Sequence, residues 1–299
     1  MTGPCFVVTL DSMEKKKLSR IRKRVLRIVA LLLLLVILCT AVYFLFFPKI
    51  TLVSDSSFQQ VFTSSDVRSL RLEYASHGFR LKVMKLADSA FDSEDQFRAA
   101  LGKAKGGAVI LSPLASEYCV VNEIRGSELL EKNIVVGINS YPVNECFDFT
   151  LVPNEKSGWI EAATVLEAET SKMSQNIALV YESDDISYVE DIVLCFPEGH
   201  VSEFKKVSGT SVFPSNTLAA MDEQGIVIAM CPYVSSFHRF FVNSTTVKWI
   251  VDYRFASVVP PGNLYGVVIP DLSVVIGILK TAEKGAYASD SLPYRYVKK

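Results

Sequence analysis

Histidine is almost absent from this chain of 299 residues: His77, His200 and His238 are the only three, and they stand far apart. Its six cysteines form no C-x-x-C pair, and no Cys/His spacing of a metal site appears. A metal centre is therefore not expected, and nothing calls for a cofactor. G-x-S-x-G, H-E-x-x-H and Walker motifs are also missing. The carboxylates of Asp184-Asp185 and Glu190-Asp191 are neighbours along the chain and read as solvated, not as an acid/base pair. An enzyme is not expected. No internal repeat or low-complexity linker divides the chain, and 49% hydrophobic with 21% charged residues is far from a disordered composition.

What the chain does have is lopsided charge. Lys15, Lys16, Lys17, Arg20, Arg22, Lys23, Arg24 and Arg27 crowd one stretch, opposed only by Asp11 and Glu14. The other 23 basic and 30 acidic residues give everything after Arg27 a net charge of −7. A mildly acidic body does not attract nucleic acid, so no nucleic-acid partner is expected. The basic run has a different neighbour. From Ile28 to Phe47 the sequence IVALLLLLVILCTAVYFLFF carries no charge, and Pro48 and Lys49 close it. About 20 residues rising 1.5 Å each span a hydrocarbon core of roughly 30 Å.

Excess Lys/Arg on the N-terminal side predicts a cytoplasmic tail (residues 1–27), one transmembrane helix (28–47) and a domain outside the cytoplasm (49–299). Three fates of the apolar run stay open. One is an uncleaved anchor, the leading reading. The second is a lipoprotein modified at Cys39, although Leu38 is bulky where such a site needs a small residue. The third is ordinary cleavage. Met13 starts a natural signal-anchor sequence, so residues 1–12 are read as an extension with no role.

Beyond Lys49, strand-like and helix-like stretches alternate. KITLVSD (49–55), FRLKVMKL (79–86), GGAVILSP (106–113), NIVVGIN (133–139), FDFTLVPN (147–154) and NIALVYES (176–183) read as strands. Helices are predicted over 65–76, from Ser93 as N-cap, from 113 to about Glu131, and from Glu155 to Lys172. Continuous apolar strands separated by helices predict a parallel sheet covered on both faces, with functional residues just past the strands' carboxyl ends. In the second half, DIVLCFPE, KKVSGTSVF, GIVIAMCPY, VKWIVDYR and LYGVVIPD read as strands or short helices. Leu272–Gly285 reads as a helix. Tight spacing there suggests a trimmed second lobe. Asn243-Ser244-Thr245 fits a glycosylation acceptor, which has no meaning in a bacterial envelope.

The order GGAVILSP, NIVVGINS, then FDFTLVPNEKSGWIEAATVLEAETSKMSQNIALVYES resembles the type I periplasmic binding proteins, the group of ribose-type and nucleoside-lipoprotein binding proteins and the lactose-repressor effector domain. Val152-Pro153-Asn154 and Gly158 match that family's Asp-Asn and glycine positions, and VKWIVDYR…GVVIPD is similar to its closing strands. The resemblance implies a two-lobed α/β sandwich with three crossings and a ligand between the lobes. Carried onto this sequence, it implies ligand contacts at Asp55, Ser56 and Phe58 after the first strand, Ser112 after the third, and Asn139 and Ser140 after the fourth. In the second lobe it implies Glu182, Tyr233, Asp252 and Arg254.

Aspartates sort hydroxyls by geometry and aromatic rings stack on a planar or apolar face, as a small polar ligand requires. Asp55 and Asp252 serve equally well as helix caps, and Phe58 and Tyr233 as core. Sugar-binding members carry Asp-Arg where this chain has Asn139-Ser140, so the clamping arginine is missing there. The resemblance also brings Cys119 and Cys146 onto neighbouring loops; buried free thiols are the other reading.

The expected function is a membrane-anchored, extracytoplasmic solute-binding or sensing protein for a sugar- or nucleoside-like ligand. A bacterial cytoplasmic membrane is the expected location, and a permease or sensor kinase the expected partner. The alternative is a degenerate binding fold that serves as an envelope scaffold or protein-interaction module.

Overall fold

The computed structural model describes residues 25–43, 46–62, 64–140, 145–170, 176–181, 187–205, 213–232, 241 and 246–299. The basic residues from Lys15 to Arg24 lie outside them, as do Glu182, Tyr233, Asn243 and most of KKVSGTSVF. Two compact units are present, residues 1–48 and 49–299.

In the first unit, α1 (Val25–Tyr43) has 19 residues and a mean hydropathy of 3.0, with none of it buried. At 1.5 Å per residue it measures about 28 Å, enough to cross a hydrocarbon core. The described helix includes the predicted start at Ile28. Its Thr40 hydroxyl donates to the Val36 carbonyl at 2.7 Å, so the polar group is satisfied within the helix.

The second unit is built on one sheet of 11 strands in the order β2-β1-β3-β4-β5-β11-β10-β9-β8-β6-β7. The first lobe contains β1 (Lys49–Ser54), β2 (Arg80–Lys85), β3 (Ala108–Leu111), β4 (Ile134–Ile138) and β5 (Phe149–Asn154). The second contains β6 (Asn176–Tyr181), β7 (Val201–Lys205), β8 (Ile226–Cys231), β9 (Lys248–Asp252) and β10 (Leu264–Pro270). Each lobe orders its own five strands 2-1-3-4-5, all parallel. Runs such as AVIL in β3 are buried at every position, because helices cover both faces.

One strand joins the lobes. In β11 (Ala288–Lys298), residues 288–293 pair parallel with β5, and residues 294–298 pair antiparallel with β10. The sequence reading assigned no element there. Its polar, proline-containing text lacks the apolar run that marked the other strands.

Helix α2 (Ser56–Val61) follows β1, and α3 (Ser64–Ser76) and α4 (Glu94–Leu101) follow in the first lobe. Ser93 caps α4 as predicted, its Oγ accepting from the Gln96 N–H. The helix expected to run from 113 to Glu131 is instead α5 (Pro113–Val121) and a short α6 (Gly126–Leu129). Asn122 ends α5, and Glu123 takes a left-handed φ of 53° that no helix continues.

Helix α7 (Glu155–Thr170) begins where β5 ends. Its buried residues Gly158, Ala162, Leu166 and Thr170 recur every four positions, with Trp159 and Ala163 beside them. Gly158 is required: a Cβ there would lie 2.6 Å from Val268 Cγ1 and 2.8 Å from Tyr294 Cβ.

The second lobe's α8 (Val189–Val193) and α9 (Phe213–Glu223) are followed by α10 (Val275–Thr281), shorter than the predicted Leu272–Gly285. The second lobe has the same number of strands as the first, five. Segment 271–287 packs on the first lobe. The Tyr74 hydroxyl donates to the Leu272 carbonyl at 2.9 Å, and Lys284 Nζ donates to the Ser127, Leu130 and Asn133 carbonyls at 3.1–3.3 Å.

Three apolar clusters hold the unit. One spans both lobes through Phe58, Trp159, Val268 and Tyr294. A second, with Phe97, Cys119 and Phe147, belongs to the first lobe, and a third, with Trp249 and Met221, to the second.

Candidate ligand cleft between the lobes

The carboxyl ends of β1, β3, β4 and β9 face a cavity of about 480 Å³. Its first-lobe wall is Ser57, Pro113, Leu114, Glu117, Ile138, Asn139 and Ser140. Pro153, Glu155, Tyr253, Arg254 and Tyr294 complete it from the crossing segments and the second lobe. Strand ends gather here because parallel strands all point the same way, and helix starts then supply side chains around the rim.

Asp55 ends β1 and caps α2. Its Oδ1 accepts from the Phe58 N–H at 2.9 Å and the Ser57 hydroxyl at 2.6 Å. Its Oδ2 is buried and has no partner among the described residues. The Asp55 N–H donates to Ser112 Oγ at 3.3 Å, and Ser112 is fully buried. Thus Ser112 and Asp55 sit behind the wall, and Ser57 reaches the cavity. Ser56, the first residue of α2, is half-buried and absent from the lining. Phe58 is fully buried, its ring edge-on to Tyr253 with centroids 5.6 Å apart, so it packs in the core and the cavity meets Tyr253 instead.

Asn139 and Ser140 do line the cavity, and the Asn139 N–H donates to the Leu151 carbonyl at 3.0 Å.

The second lobe brings ions. Asp252 is fully buried at the end of β9, and its Oδ1 accepts from the backbone N–H and Nε of Arg254 at 2.9 and 2.7 Å. Arg254 Nη2 bonds Glu155 Oε1 at 2.7 Å, and Glu155 Oε2 accepts from the Tyr188 hydroxyl at 3.4 Å. Asp252 Oδ2 is buried and has no hydrogen-bond partner among the described residues. An arginine therefore does stand in the cleft, on the wall opposite the position where the sequence lacks one.

Burial, and next to it the charge of Asp252, push the Glu155 carboxyl up to about 6, against the pull of Arg254 and Tyr188. Burial alone would lower the Arg254 guanidinium; Asp252 and Glu155 outweigh it and hold it above its ordinary value. Tyr188, Tyr253 and Tyr294 are all raised, by burial first; Tyr253 comes next for Tyr294, and these carboxylates add to the shift in all three.

The repeated 2-1-3-4-5 order, a strand shared by both halves and a cavity at the joint decide the architecture. The fold is that of the type I periplasmic binding proteins. No protein-family model and no curated protein matches the sequence. Among solved structures, the chain is similar to a carbohydrate-transporter solute-binding protein from Agrobacterium radiobacter in complex with D-arabinose (15% identity, TM-score 0.38, 84% of this chain and 94% of that one). It is also similar to a sugar-binding protein of a sugar ABC transporter from Bacillus halodurans (9%, TM-score 0.47, 83% and 96%). A third is the Lac repressor bound to ONPG in its repressed state (12%, TM-score 0.40, 84% and 80%). At these identities the likeness concerns the fold alone.

Within this type I fold, the strand-end rule located Asn139, Ser140 and Arg254 on the cavity and Asp55, Ser112 and Asp252 one layer behind it. Glu182 and Tyr233 lie outside the described residues. Glu117, Glu155 and Tyr294 were missed. Glu117 sits one turn into α5 and Glu155 opens α7, so extending the rule through the first helical turn would have found both. Nothing in the sequence pointed to Tyr294, because β11 itself was unread.

Cys119 and Cys146 are buried thiols not joined by a disulfide, with Cys146 Sγ 3.7 Å from the Cys119 carbonyl. Burial pushes Cys119 up to about 12 and raises Cys146 as well. The two are neighbours, as the resemblance implied, and both are inert in this form.

Proposed function

We propose that the chain is a membrane-anchored, extracytoplasmic solute-binding or sensing protein that holds a small polar ligand between its lobes. The observation that carries this reading is the cavity of about 480 Å³, walled by polar side chains from both lobes. Its size falls within the roughly 300–1,000 Å³ of small-molecule sites, and its mix of apolar surface and convergent polar groups suits a sugar- or nucleoside-sized molecule. Ligand contacts are assigned to Ser57, Asn139, Ser140, Glu155, Tyr253 and Arg254, with Asp55, Ser112 and Asp252 positioning them. Closure of the lobes is then a population shift driven by contacts made only in the closed state. Anchoring by α1 with the C-terminal domain outside a bacterial cytoplasmic membrane fits the basic N-terminal flank. A permease or sensor kinase reads the closed form.

A degenerate scaffold is the second reading. It is favoured by Phe58, fully buried in the core, and by Arg254, already bonded to two carboxylates. A thermal-shift screen of the full chain in detergent against sugars, nucleosides and amino acids separates the two. A ligand at 100 times its Kd adds about 2.7 kcal/mol, several degrees in Tm. A shift abolished by Asn139→Ala or Arg254→Ala supports binding; no shift across the library favours the scaffold.

A further inference from the structure

The cleft is unbalanced in charge. Among the described residues its lining carries Glu117 and Glu155 against one cation, Arg254, and no lysine or histidine. Directly behind stand Asp252 and Asp55, 0% and 1% exposed, each with one carboxylate oxygen that has no hydrogen-bond partner. Arg254 is engaged by Asp252 and Glu155 at 2.7 Å each, so an anion entering the cavity meets a guanidinium already matched by two carboxylates. Buried charge without a counterion is unfavourable, and the same low dielectric makes an added opposite charge worth more than in water.

The cavity floor fits this. Tyr253 and Tyr294 are 4% exposed and line the cavity with ring centroids 6.2 Å apart. The Arg254 guanidinium already lies 5.9 Å from the Tyr253 ring centroid, so an aromatic ring beside a cation is part of this wall.

Resting on the binding reading above, we infer that the cleft takes a cationic solute: an ammonium group on a sugar-sized polar body, seated between Glu155 and Glu117 over Tyr253 and Tyr294. Carboxylate- and phosphate-bearing molecules of the same shape are excluded.

The test uses the full chain in detergent and matched probes that differ only in charge. These are glucosamine, glucose and glucuronate, then 5′-amino-5′-deoxyadenosine, adenosine and adenosine 5′-carboxylate, with putrescine as a bare diammonium. Binding is read by calorimetry at two salt concentrations. The expected result is an amine member bound at least tenfold more tightly than its neutral partner, weaker at high salt, with no binding of the acid. Glu117→Gln, at an exposed position that the fold does not need, should weaken the amine about tenfold and leave neutral probes unaffected. Glu155→Gln should weaken the amine at least as much, and neutral probes to a lesser degree because Glu155 also holds Arg254 in the cleft. Equal or tighter binding of a neutral or acidic member overturns the charge assignment while leaving the cleft a binding site. No heat from any probe counts against the cationic class, and a blank thermal-shift screen alongside it removes the binding reading too.

Discussion

Asp55 in the first lobe and Asp252 in the second occupy matching places: each ends a strand, caps the turn that follows, and keeps one buried oxygen without a partner. Their other oxygens differ. Asp55 is answered by a backbone N–H and a serine hydroxyl, both neutral, whereas Asp252 is answered by a guanidinium that also holds Glu155. At its strand ends the first lobe therefore offers the cleft a neutral hydrogen-bonding wall and the second an ionic one, while Glu117 adds a carboxylate from α5. Shape and hydroxyl recognition belong to the neutral strand-end wall, charge selection to Arg254, Glu155 and Glu117.

The largest expected effect concerns what the lobes share. Trp159 on α7 is fully buried in the cluster that joins both lobes, and Trp249 on β9 is fully buried in the second lobe's own cluster. Either Trp→Ala change should cost about 3–5 kcal/mol in chemical denaturation. The two should differ in reach. Hydrogen exchange should accelerate in both lobes for Trp159→Ala and only in the second for Trp249→Ala. Identical exchange patterns would mean that the lobes do not have separable cores.

Next comes the contrast between the aspartates. Asp252→Asn leaves the shape and removes the charge facing Arg254. Breaking a buried pair typically costs 3–5 kcal/mol, but the Arg254 side chain is 37% exposed, so screening reduces this to about 2 kcal/mol. Asp55→Asn keeps a good N-cap and should cost under about 1 kcal/mol. Comparable losses in urea denaturation would erase the distinction between a neutral and an ionic wall.

The ionic wall should also titrate. The Glu155 carboxyl is raised in the folded state from 4.5 to about 6. The folded chain then binds more protons than the unfolded chain in this window. Stability from this group is full below about 4.5 and is lost as pH rises to about 6, by on the order of 1–2 kcal/mol. Wild-type Tm should therefore fall across that window relative to Glu155→Gln. Parallel curves for the two proteins would remove Glu155 as the source.

The same contrast governs what could be read from sequence. Nine of the strands follow from apolar runs or alternation; β7 was not placed, and the segment that forms α8 was left open between strand and helix. Burial on both faces writes such runs into the text directly. The helix break at Asn122-Glu123 was not legible, because neither residue is a glycine or proline and only the backbone reveals the left-handed turn. β11 was not legible because it belongs to two sheets and follows the pattern of neither. The neutral wall lies at strand ends and was found. Asp252 and Arg254 of the ionic wall were found as well; Glu155 opens a helix one step beyond its strand end, and Tyr294 comes from a crossing whose place depends on how the two lobes meet, a pairing that leaves no local mark.

The smallest effect tests the neutral wall itself. Ser112 is fully buried and its Oγ accepts the Asp55 N–H at 3.3 Å, a long contact that holds the β1–α2 turn against α5. Ser112→Ala leaves that N–H without its acceptor, and a marginal bond of this length should cost about 0.5–1 kcal/mol. Its value lies in where the change shows. If the turn presents Ser57 to the ligand, binding of a neutral probe should weaken severalfold, while the salt dependence set by the opposite wall stays as it was. A change in salt dependence instead would mean that Ser112 acts on the ionic wall, and that the two walls are electrostatically one.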